Sequence, residues 1–176
     1  TNDRRQRQMC IRDSFNPMHD GHIAMSELAQ KELNEKVFFE ICIQNVDKPP
    51  LSYHQIKKTL DQFNSSQNWV LTKAGKFSDK ARLFPNSTFI IGADTLVRIF
   101  DERFYASRRE MMEEFQIFNV NKNKFLVFGR EYKNKFIELK DIQIPDPIKK
   151  LFRGFGENIF RKDVSSSTIR ARNTEE

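Results

Sequence analysis

Signals for strands and for helices alternate along this chain, and the alternation restricts the fold more than any other feature of the sequence. Residues 88–91 (Thr-Phe-Ile-Ile) and 125–128 (Phe-Leu-Val-Phe) are continuous apolar runs, which are typical of strands buried on both faces of a parallel sheet. Segments with helical periodicity lie between the strand signals. Regular alternation of this kind favours a parallel sheet with crossover helices on both faces. We therefore predict an α/β fold, a doubly wound parallel sheet.

The predicted elements direct the search for function to the ends of the strands. After a presumed first strand, strands are predicted over 37–43, 69–72, 88–91 and 125–128, with a hairpin strand over 136–139. Helices are predicted between them, over 23–33, 52–63 with Ser52 as N-cap, 78–83 and 148–152. A longer helical region over 96–118 has a break near Phe104 and Tyr105. Ligands of doubly wound sheets bind beyond the carboxyl ends of the strands. Residues that directly follow strands are therefore the candidates.

Length and composition fit one globular domain. A chain of 176 residues with 38% hydrophobic content has enough apolar material for a core. It has no apolar run long enough to span a membrane and no apolar stretch of the kind found in secretory signals, so we expect a cytoplasmic protein without a membrane partner. Two cysteines are too few for a disulfide scaffold or a thiolate zinc site.

The net charge of +6, from 30 Lys and Arg against 24 Asp and Glu, permits a polyanionic partner. The same excess arises when Lys, Asn and Phe are used together frequently, as an AT-rich coding sequence would dictate. No stretch of five like charges forms a basic tail. The charge therefore gives no reason to expect nucleic acid as the partner.

The first thirteen residues need separate treatment, because residues 4–13 read as the continuous translation of a transposon-end sequencing adapter. We expect residues 1–13 to be foreign to the natural protein, with a single natural domain over residues 14–176, and we leave the segment out of the fold prediction. Residues 1–13 carry four Arg and two Asp, so the natural part would have a net charge of +4. The alternative is a native basic arm.

The first candidate motif lies between the presumed first strand and its helix, at Ser14-Phe15-Asn16-Pro17-Met18-His19-Asp20-Gly21-His22. It holds two of the chain's three histidines, His19 and His22, around Gly21. The first turn of a helix offers unpaired N–H groups and a positive dipole end to phosphate, and glycine lets the backbone come close. Two imidazoles at that place can donate to phosphate oxygens. A lone histidine would more often be structural, but the spacing of this pair predicts phosphate binding.

The second motif follows the strand over 88–91, where Gly92 and Asp94 form a Gly-x-Asp sequence. Glycine allows close approach of a ligand, and the carboxylate can accept hydrogen bonds from ribose hydroxyls or amines. The alternative is that Asp94 only caps the next helix.

The third motif is Val164-Ser165-Ser166-Ser167-Thr168-Ile169-Arg170. Serines that open a helix are commonly caps, and that alternative stands for these three. Their hydroxyl and N–H groups could also hold phosphates, with Arg170 as a bidentate clamp.

Together the three motifs resemble the nucleotidyltransferase superfamily with a His-x-Gly-His signature, described as cytidylyltransferase-like, over nearly all of residues 14–172. The similarity points most directly to the nicotinamide and nicotinate mononucleotide adenylyltransferases. Residues 14–17 (Ser-Phe-Asn-Pro) match the superfamily's approach to the histidines, whereas Asp13 stands where a glycine is expected. Residues 164–170 resemble its Ile-Ser-Ser-Thr-x-Ile-Arg signature. We expect the Asp13 carboxylate to weaken nucleotide binding, because it would repel a triphosphate.

The resemblance implies a Rossmann-like nucleotidyltransferase fold and transfer of a nucleotidyl group to a phosphate-bearing acceptor, with release of pyrophosphate. The substrates it favours are ATP and nicotinamide or nicotinate mononucleotide. Mg²⁺ would bridge the triphosphate, held largely by substrate and water, with no metal ligand from the protein. The implied catalytic residues are His19, His22 and Arg170. The implied nucleotide-binding residues are Ser14, Phe15, Asn16, Gly21, Gly92, Asp94, Ser165, Ser166 and Ser167.

Other functions remain open at this point. One is a cytidylyltransferase that uses another phosphorylated acceptor, and a second is a non-catalytic relative that binds nucleotide or RNA. A fragment of a tRNA synthetase would share the histidine signature, but no Lys-Met-Ser-Lys-Ser-like segment is present. The oligomeric state is not indicated by the sequence.

Overall fold

Six parallel strands form the central sheet of the structure, a computed structural model that describes residues 9–12, 15, 17–44, 49–161 and 169. The strands, numbered along the chain, are β1 (Met9–Arg12), β2 (Val37–Cys42), β3 (Asn68–Thr72), β4 (Thr88–Gly92), β5 (Lys124–Phe128) and β8 (Phe152–Phe155). A separate antiparallel hairpin consists of β6 (Arg130–Tyr132) and β7 (Lys135–Ile137).

Helices fill most of the connections between the strands. They are α1 (Asp20–Leu33), α2 (Tyr53–Leu60), α3 (Phe77–Leu83), α4 (Ala93–Ile99), α5 (Arg108–Val120) and α6 (Asp146–Lys149), with single 3-10 turns at Glu102–Phe104 and Leu139–Asp141. None of the helices in the described part of the chain has both the length and the apolar character needed to cross a membrane.

The order of the strands across the sheet is β3-β2-β1-β4-β5-β8. The chain builds the sheet outward from β1 to one edge and then returns to build it outward from β4 to the other. This confirms the predicted doubly wound parallel sheet. It also places a topological switch point between β1 and β4, where the loops that follow these two strands diverge and leave a crevice at the carboxyl edge.

Apolar residues of the sheet alternate between two cores. One core contains Phe89 and Phe125, which pack with residues of α3, α4 and α5. The other contains Ile90 and Leu126, which pack with residues of α1. Because successive side chains of a strand point to opposite faces, a strand covered on both faces must be apolar throughout. The continuous apolar runs of β4 and β5 are the result.

The central strand β1 comes from the segment that the sequence analysis left out of the fold prediction. Met9, Cys10 and Ile11 are almost completely buried, and β1 pairs with β2 on one side and β4 on the other. A doubly wound sheet needs a strand before its first helix, and an apolar Met-Cys-Ile run meets the burial requirements of that place. Residues 9–12 therefore take part in the fold, while the foreign origin of residues 1–13 stays a prediction.

The main difference from the predicted elements concerns residues 148–155. The sequence predicted a helix over 148–152, but α6 ends at Lys149 and Phe152 begins the edge strand β8. Phe152 stacks on Phe125 with ring centroids 4.6 Å apart, and Phe155 stacks on Phe128 at 4.8 Å. Both stacking partners belong to β5, which is remote from β8 in the sequence. A short strand that contains glycine also shows little strand preference in its own residues, so the sequence did not predict β8.

Two smaller differences concern helix ends. Helix α1 begins at Asp20, three residues before the predicted start, because His19 takes the N-cap position. The predicted helical region over 96–118 is divided into α4 and α5, with a 3-10 turn at Glu102–Phe104 where a break was expected.

Candidate active site

The two motif histidines form one unit at the start of α1. His19 is the N-cap, and its backbone N–H donates to Nδ1 of His22 at 3.2 Å. Since Nδ1 of His22 accepts this hydrogen bond, the proton of a neutral His22 ring lies on Nε2. His22 thereby has a donor, Nε2–H, on the side of the ring opposite to the helix cap.

The rings of His19 and His22 stack with centroids 3.8 Å apart and planes 23° from parallel. Both residues are buried, His19 to 7% exposure and His22 to 2%. The ring of Phe15 meets His22 edge-on at 5.0 Å. Phe15 is itself fully buried and packs edge-on against Phe39 and Phe63. Its side chain therefore links the ring of His22 to the hydrophobic core. The predicted role of Phe15 in nucleotide binding stays a prediction, and the buried side chain leaves only the backbone for it.

Gly21 makes room for the ring of His19. A Cβ at position 21 would lie 2.9 Å from both Cε1 and Nδ1 of His19, which is closer than real Cβ contacts allow. The histidine ring therefore lies across the first turn of α1 only because residue 21 has no side chain. The sequence predicted that this glycine gives a ligand access to the backbone; the structure shows that it also positions a catalytic candidate.

A glutamine that the sequence analysis did not single out holds the loop before α1. The side-chain amide of Gln62 accepts a hydrogen bond from the N–H of Met18 at 2.8 Å and donates to the carbonyl of Phe15 at 2.9 Å. Gln62 comes one residue after the C-cap of α2, Asp61. The end of α2 is thereby attached to both sides of the motif loop, which has a left-handed turn at Phe15, where φ is 45°.

Gly92 and Asp94 occupy the end of β4 and the first turn of α4. Gly92 takes the N-cap position, so Asp94 is not the cap of this helix. A Cβ on Gly92 would collide with Oδ1 of Asp94. The absence of that Cβ lets the carboxylate fold back over the strand end, at the switch point, where a ligand of a doubly wound sheet would lie.

The two motifs are brought together by Arg130, which the sequence analysis missed. Cγ of Arg130 lies 3.0 Å from the position of a Cβ on Gly92, and Nη1 lies 3.7 Å from the position of a Cβ on Gly21. One arginine side chain therefore spans the gap between β4 and α1. Arg130 follows β5 after a single residue, so the rule that pointed to the other strand ends would also have found it.

Six predicted site residues lie outside the part of the chain that the structure describes: Ser14, Asn16, Ser165, Ser166, Ser167 and Arg170. Their roles stay predictions. The described residues of the predicted site, Phe15, His19, Gly21, His22, Gly92 and Asp94, all lie at the carboxyl edge of the sheet around the switch point.

A buried polar cluster lies beside this edge, between β2 and α3. The ammonium of Lys80 and the hydroxyl of Thr72 both donate to Oε1 of Glu40, and Glu40 and Lys80 are almost completely excluded from solvent. Nearby, burial and then the negative charge of Glu40 raise the pKa of the Cys10 thiol to about 12. Cys10 and Cys42 are free and buried. Among the described residues, no group of three or more His, Cys, Asp or Glu side chains is arranged to hold a metal ion.

The fold and the site together define a class of protein. A doubly wound parallel sheet, with a His-x-Gly-His helix start and a Gly-x-Asp strand end facing one another at the switch point, is a Rossmann-like α/β domain of the nucleotidyltransferase type. The chain belongs to the cytidylyltransferase-like family, whose model matches residues 13–172. The resemblance found in the sequence is thereby confirmed.

Known proteins similar to the chain include a yeast relative and a solved structure from Plasmodium falciparum. A Schizosaccharomyces pombe protein named "putative nicotinamide mononucleotide adenylyltransferase" is 28% identical over 131 residues, which represent 67% of this chain and 51% of the relative. The chain thus spans about half the length of that relative. Plasmodium falciparum nicotinic acid mononucleotide adenylyltransferase, solved in complex with NaAD, superposes with a TM-score of 0.51 at 19% identity, over 94% of this chain and 83% of that chain. The superposition shows that the two proteins share a fold.

Proposed function

We propose that this protein transfers AMP from ATP to nicotinamide or nicotinate mononucleotide and releases pyrophosphate. The observation that carries the proposal is the stacked, buried pair of His19 and His22 at the first turn of α1, at the switch point of the sheet. Membership of the cytidylyltransferase-like family and the name of the S. pombe relative support the reaction type and the acceptor.

The reaction is an in-line displacement at phosphorus. An oxygen of the acceptor's phosphate attacks the α-phosphorus of ATP, and a new P–O bond forms. The bond between the α-phosphorus and the bridging oxygen breaks, and pyrophosphate leaves with the electron pair of that bond. No covalent bond to the protein is made, so the protein contributes by positioning the substrates and stabilising charge.

The start of α1 supplies the groups that stabilise charge. Nε2–H of His22 is a donor held in place by the bond from the His19 backbone to Nδ1. The N–H groups of the first helical turn and the positive end of the helix dipole favour phosphate oxygens at the same place. Preorganised donors of this kind gain strength in a site from which water is excluded. The remaining phosphates are proposed to be held by Arg170 and by the hydroxyl and N–H groups of Ser165, Ser166 and Ser167.

Mg²⁺ is proposed as the cofactor, carried into the site by the triphosphate. This ion retains several waters and is commonly bound through one or two carboxylates and substrate phosphates. The sequence predicts no protein ligand to the ion; a contact of the Asp94 carboxylate, which lies over the end of β4, with the ion's water shell belongs to this proposal. When bound, the ion would neutralise part of the triphosphate charge.

We also propose a cytoplasmic location, which agrees with the buried free thiol of Cys42.

Pyrophosphate release tests the proposed reaction. The 176-residue chain is incubated with ATP or CTP, each paired with nicotinamide mononucleotide, nicotinate mononucleotide or a phosphorylated acceptor without a pyridine ring. We expect release with ATP and a pyridine mononucleotide. Release with CTP in its place would support a cytidylyltransferase instead. No release with any pair would contradict the proposal and leave a nucleotide-binding protein without catalysis.

The substitution His22→Asn tests the role of the histidine pair. Asparagine retains an acceptor near the position of Nδ1, so the helix cap is kept, but it removes the Nε2–H donor. We expect kcat to fall about 10²- to 10³-fold, as is typical for loss of one preorganised donor, with the circular dichroism spectrum unchanged. The control is His54→Asn, the same change at an exposed position of α2. Equal kcat values for the two variants would remove His22 from the mechanism.

A further inference from the structure

The hairpin β6–β7 is not part of the doubly wound sheet, yet its first residue reaches into the site. Arg130 is 9% exposed, and its side chain runs from the end of β4 to the first turn of α1. Its Nη1 lies 3.7 Å from the Cβ position of Gly21, the residue over which the His19 ring is folded. The guanidinium thus lies beside the histidine pair.

Among the described residues, the Arg130 side chain makes no hydrogen bond and no ion pair, and its hydrogen bonds within the hairpin are those of the backbone. The carboxylate of Asp94 lies nearby, folded back over Gly92, but it is not paired with the guanidinium. Arginine is always protonated in proteins, and a buried cation without an anionic partner is costly. A site that keeps such a cation next to a helix N-terminus favours an anion as its occupant.

We propose that Arg130 is a phosphate-binding residue, whose guanidinium binds oxygens of the phosphate groups that meet at the switch point between β1 and β4. This inference rests on the proposed function and extends it. The planar guanidinium can donate two parallel hydrogen bonds to one phosphate. The first turn of α1 and the donor of His22 approach the same space from the other side, so a phosphate there would be held between two elements that are separate in sequence.

Calorimetric titration of the 176-residue chain tests the assignment without turnover. The probes are inorganic tripolyphosphate, for the nucleoside triphosphate, and nicotinamide and nicotinate mononucleotide, for the acceptor phosphate. We expect Arg130→Met to weaken binding of at least one probe about 10- to 100-fold, the range expected for loss of a charge-assisted hydrogen bond. We expect Arg130→Lys to lie between this variant and the unmodified protein, because lysine keeps the charge and loses the planar fork.

The matched control is Arg153→Met, which removes the same charge from an exposed residue. Arg153 pairs with Glu32 at 2.7 Å near the end of α1 that is remote from the histidines, so its loss is expected to leave all titrations unchanged. The probe that loses affinity in Arg130→Met identifies which substrate's phosphate the guanidinium binds. If Arg130→Met does not fold, as judged by circular dichroism, the comparison of Arg130→Lys with Arg153→Met decides.

Unchanged affinity for all probes in the folded Arg130 variants would overturn the assignment, and so would the absence of binding to the unmodified protein. Failure of the proposed function has a different signature. In that case the unmodified protein binds a phosphate probe and loses this binding with Arg130→Met, but releases no pyrophosphate with any pair of substrates.

Discussion

Single residues determine how closely the groups of the site approach one another. At Gly21 and Gly92 the missing Cβ leaves space that is taken by the ring of His19 and the carboxylate of Asp94. Neither position needs a left-handed backbone, because the positive-φ residues of the described chain are all other than glycine. The two glycines are therefore required for the space they leave, and a substitution there acts on a neighbouring functional group before it acts on the backbone.

The substitution Gly21→Ala tests this at the first motif. The added Cβ would lie 2.9 Å from two atoms of the His19 ring, so the ring must move. Displacements of this size in a catalytic group cost up to about 10²-fold in rate. Helix stability should not fall, because alanine is about 1 kcal/mol better than glycine inside a helix. We expect kcat/KM to drop about 10- to 100-fold with an unchanged or higher melting temperature. A loss of stability without a loss of rate would contradict this explanation.

At the scale of secondary-structure elements, the site depends on helices that contribute no catalytic group. Helix α2 ends next to Gln62, whose amide bonds the loop on both sides of Pro17. Helix α3 is attached to the sheet by the ion pair between Lys80 and Glu40. The first contact fixes α2 against the loop that follows β1, and the second fixes α3 against β2.

The substitution Gln62→Ala is expected to alter catalysis more than stability. Three hydrogen bonds of a partly exposed side chain are lost, two to the motif loop and one to the carbonyl of Thr59, each worth about 1 kcal/mol. The loop that positions His19 is released as well. We expect kcat/KM for ATP to fall by about tenfold or more. The control is Ser52→Ala, which removes the N-cap of the same helix at its other end and should cost about 1 kcal/mol of stability without a kinetic effect. Equal kinetics in the two variants would exclude Gln62 as a clamp.

The ion pair under α3 predicts a large effect on stability. Replacing Lys80 by methionine leaves the Glu40 carboxylate buried without its counter-ion, and breaking a buried pair in this way costs about 3–5 kcal/mol. The double variant Glu40→Gln, Lys80→Met should recover part of the loss, because a neutral amide needs no counter-ion. Urea denaturation measures both variants.

Lys76→Met is the control for the ion pair. The Lys76 side chain is 42% exposed and pairs with Glu114, so its loss should cost about 1 kcal/mol or less. A loss of similar size for Lys80→Met would show that the buried pair contributes no more than a surface one.

At the scale of the whole molecule, the parallel sheet separates two cores and collects the functional groups at one edge. The described site draws on residues 15, 17–22, 62, 92–94 and 130, which are distributed over most of the chain. They meet because β1, β4 and β5 are neighbours in the sheet and all run in one direction. Stability of the sheet as a whole is therefore a condition for the geometry of the site.

The folded molecule should become less stable in alkaline solution. Burial, and to a smaller extent the negative charge of Glu40, raises the pKa of Cys10 from 9.0 to about 12. Burial, and to a smaller extent the negative charge of Glu114, raises the pKa of Tyr105 from 10.0 to about 12. The folded state therefore keeps both protons at pH values where the unfolded chain loses them. Their contribution to stability is complete below about pH 9 and is lost as the pH rises toward about 12.

Urea unfolding at successive pH values measures this dependence. We expect the free energy of unfolding to decrease above about pH 9, with Cys10 contributing a slope of at most about 1.4 kcal/mol per pH unit. The variants Cys10→Ala and Tyr105→Phe should each show a shallower decrease. Identical slopes in all three proteins would mean that neither group remains protonated in the folded state.

The sequence by itself determined the fold class, the approximate places of most elements and three motifs. Continuous apolar runs such as those of β4 and β5 are buried on both faces, and the N-cap Ser52 marks the start of α2. These are local properties, because backbone hydrogen bonding and side-chain burial within an element depend on neighbours in the chain. The spacing of His19 and His22 is likewise a local property of the sequence.

Only the tertiary structure decided which residues complete the site. Gln62 lies in a segment with no distinctive local pattern and reaches the first motif through the docking of α2. Arg130 follows a strand end, but only the order of the strands shows that its side chain reaches both motifs. The edge strand β8 was missed for the same reason, since its stacking partners Phe125 and Phe128 are remote in sequence. The residues of a strand do not show which distant strand it pairs with. Almost any sequence of suitable apolarity can form the backbone hydrogen bonds of a sheet. Which chain segments meet at the carboxyl edge is therefore set by the packing of the whole domain.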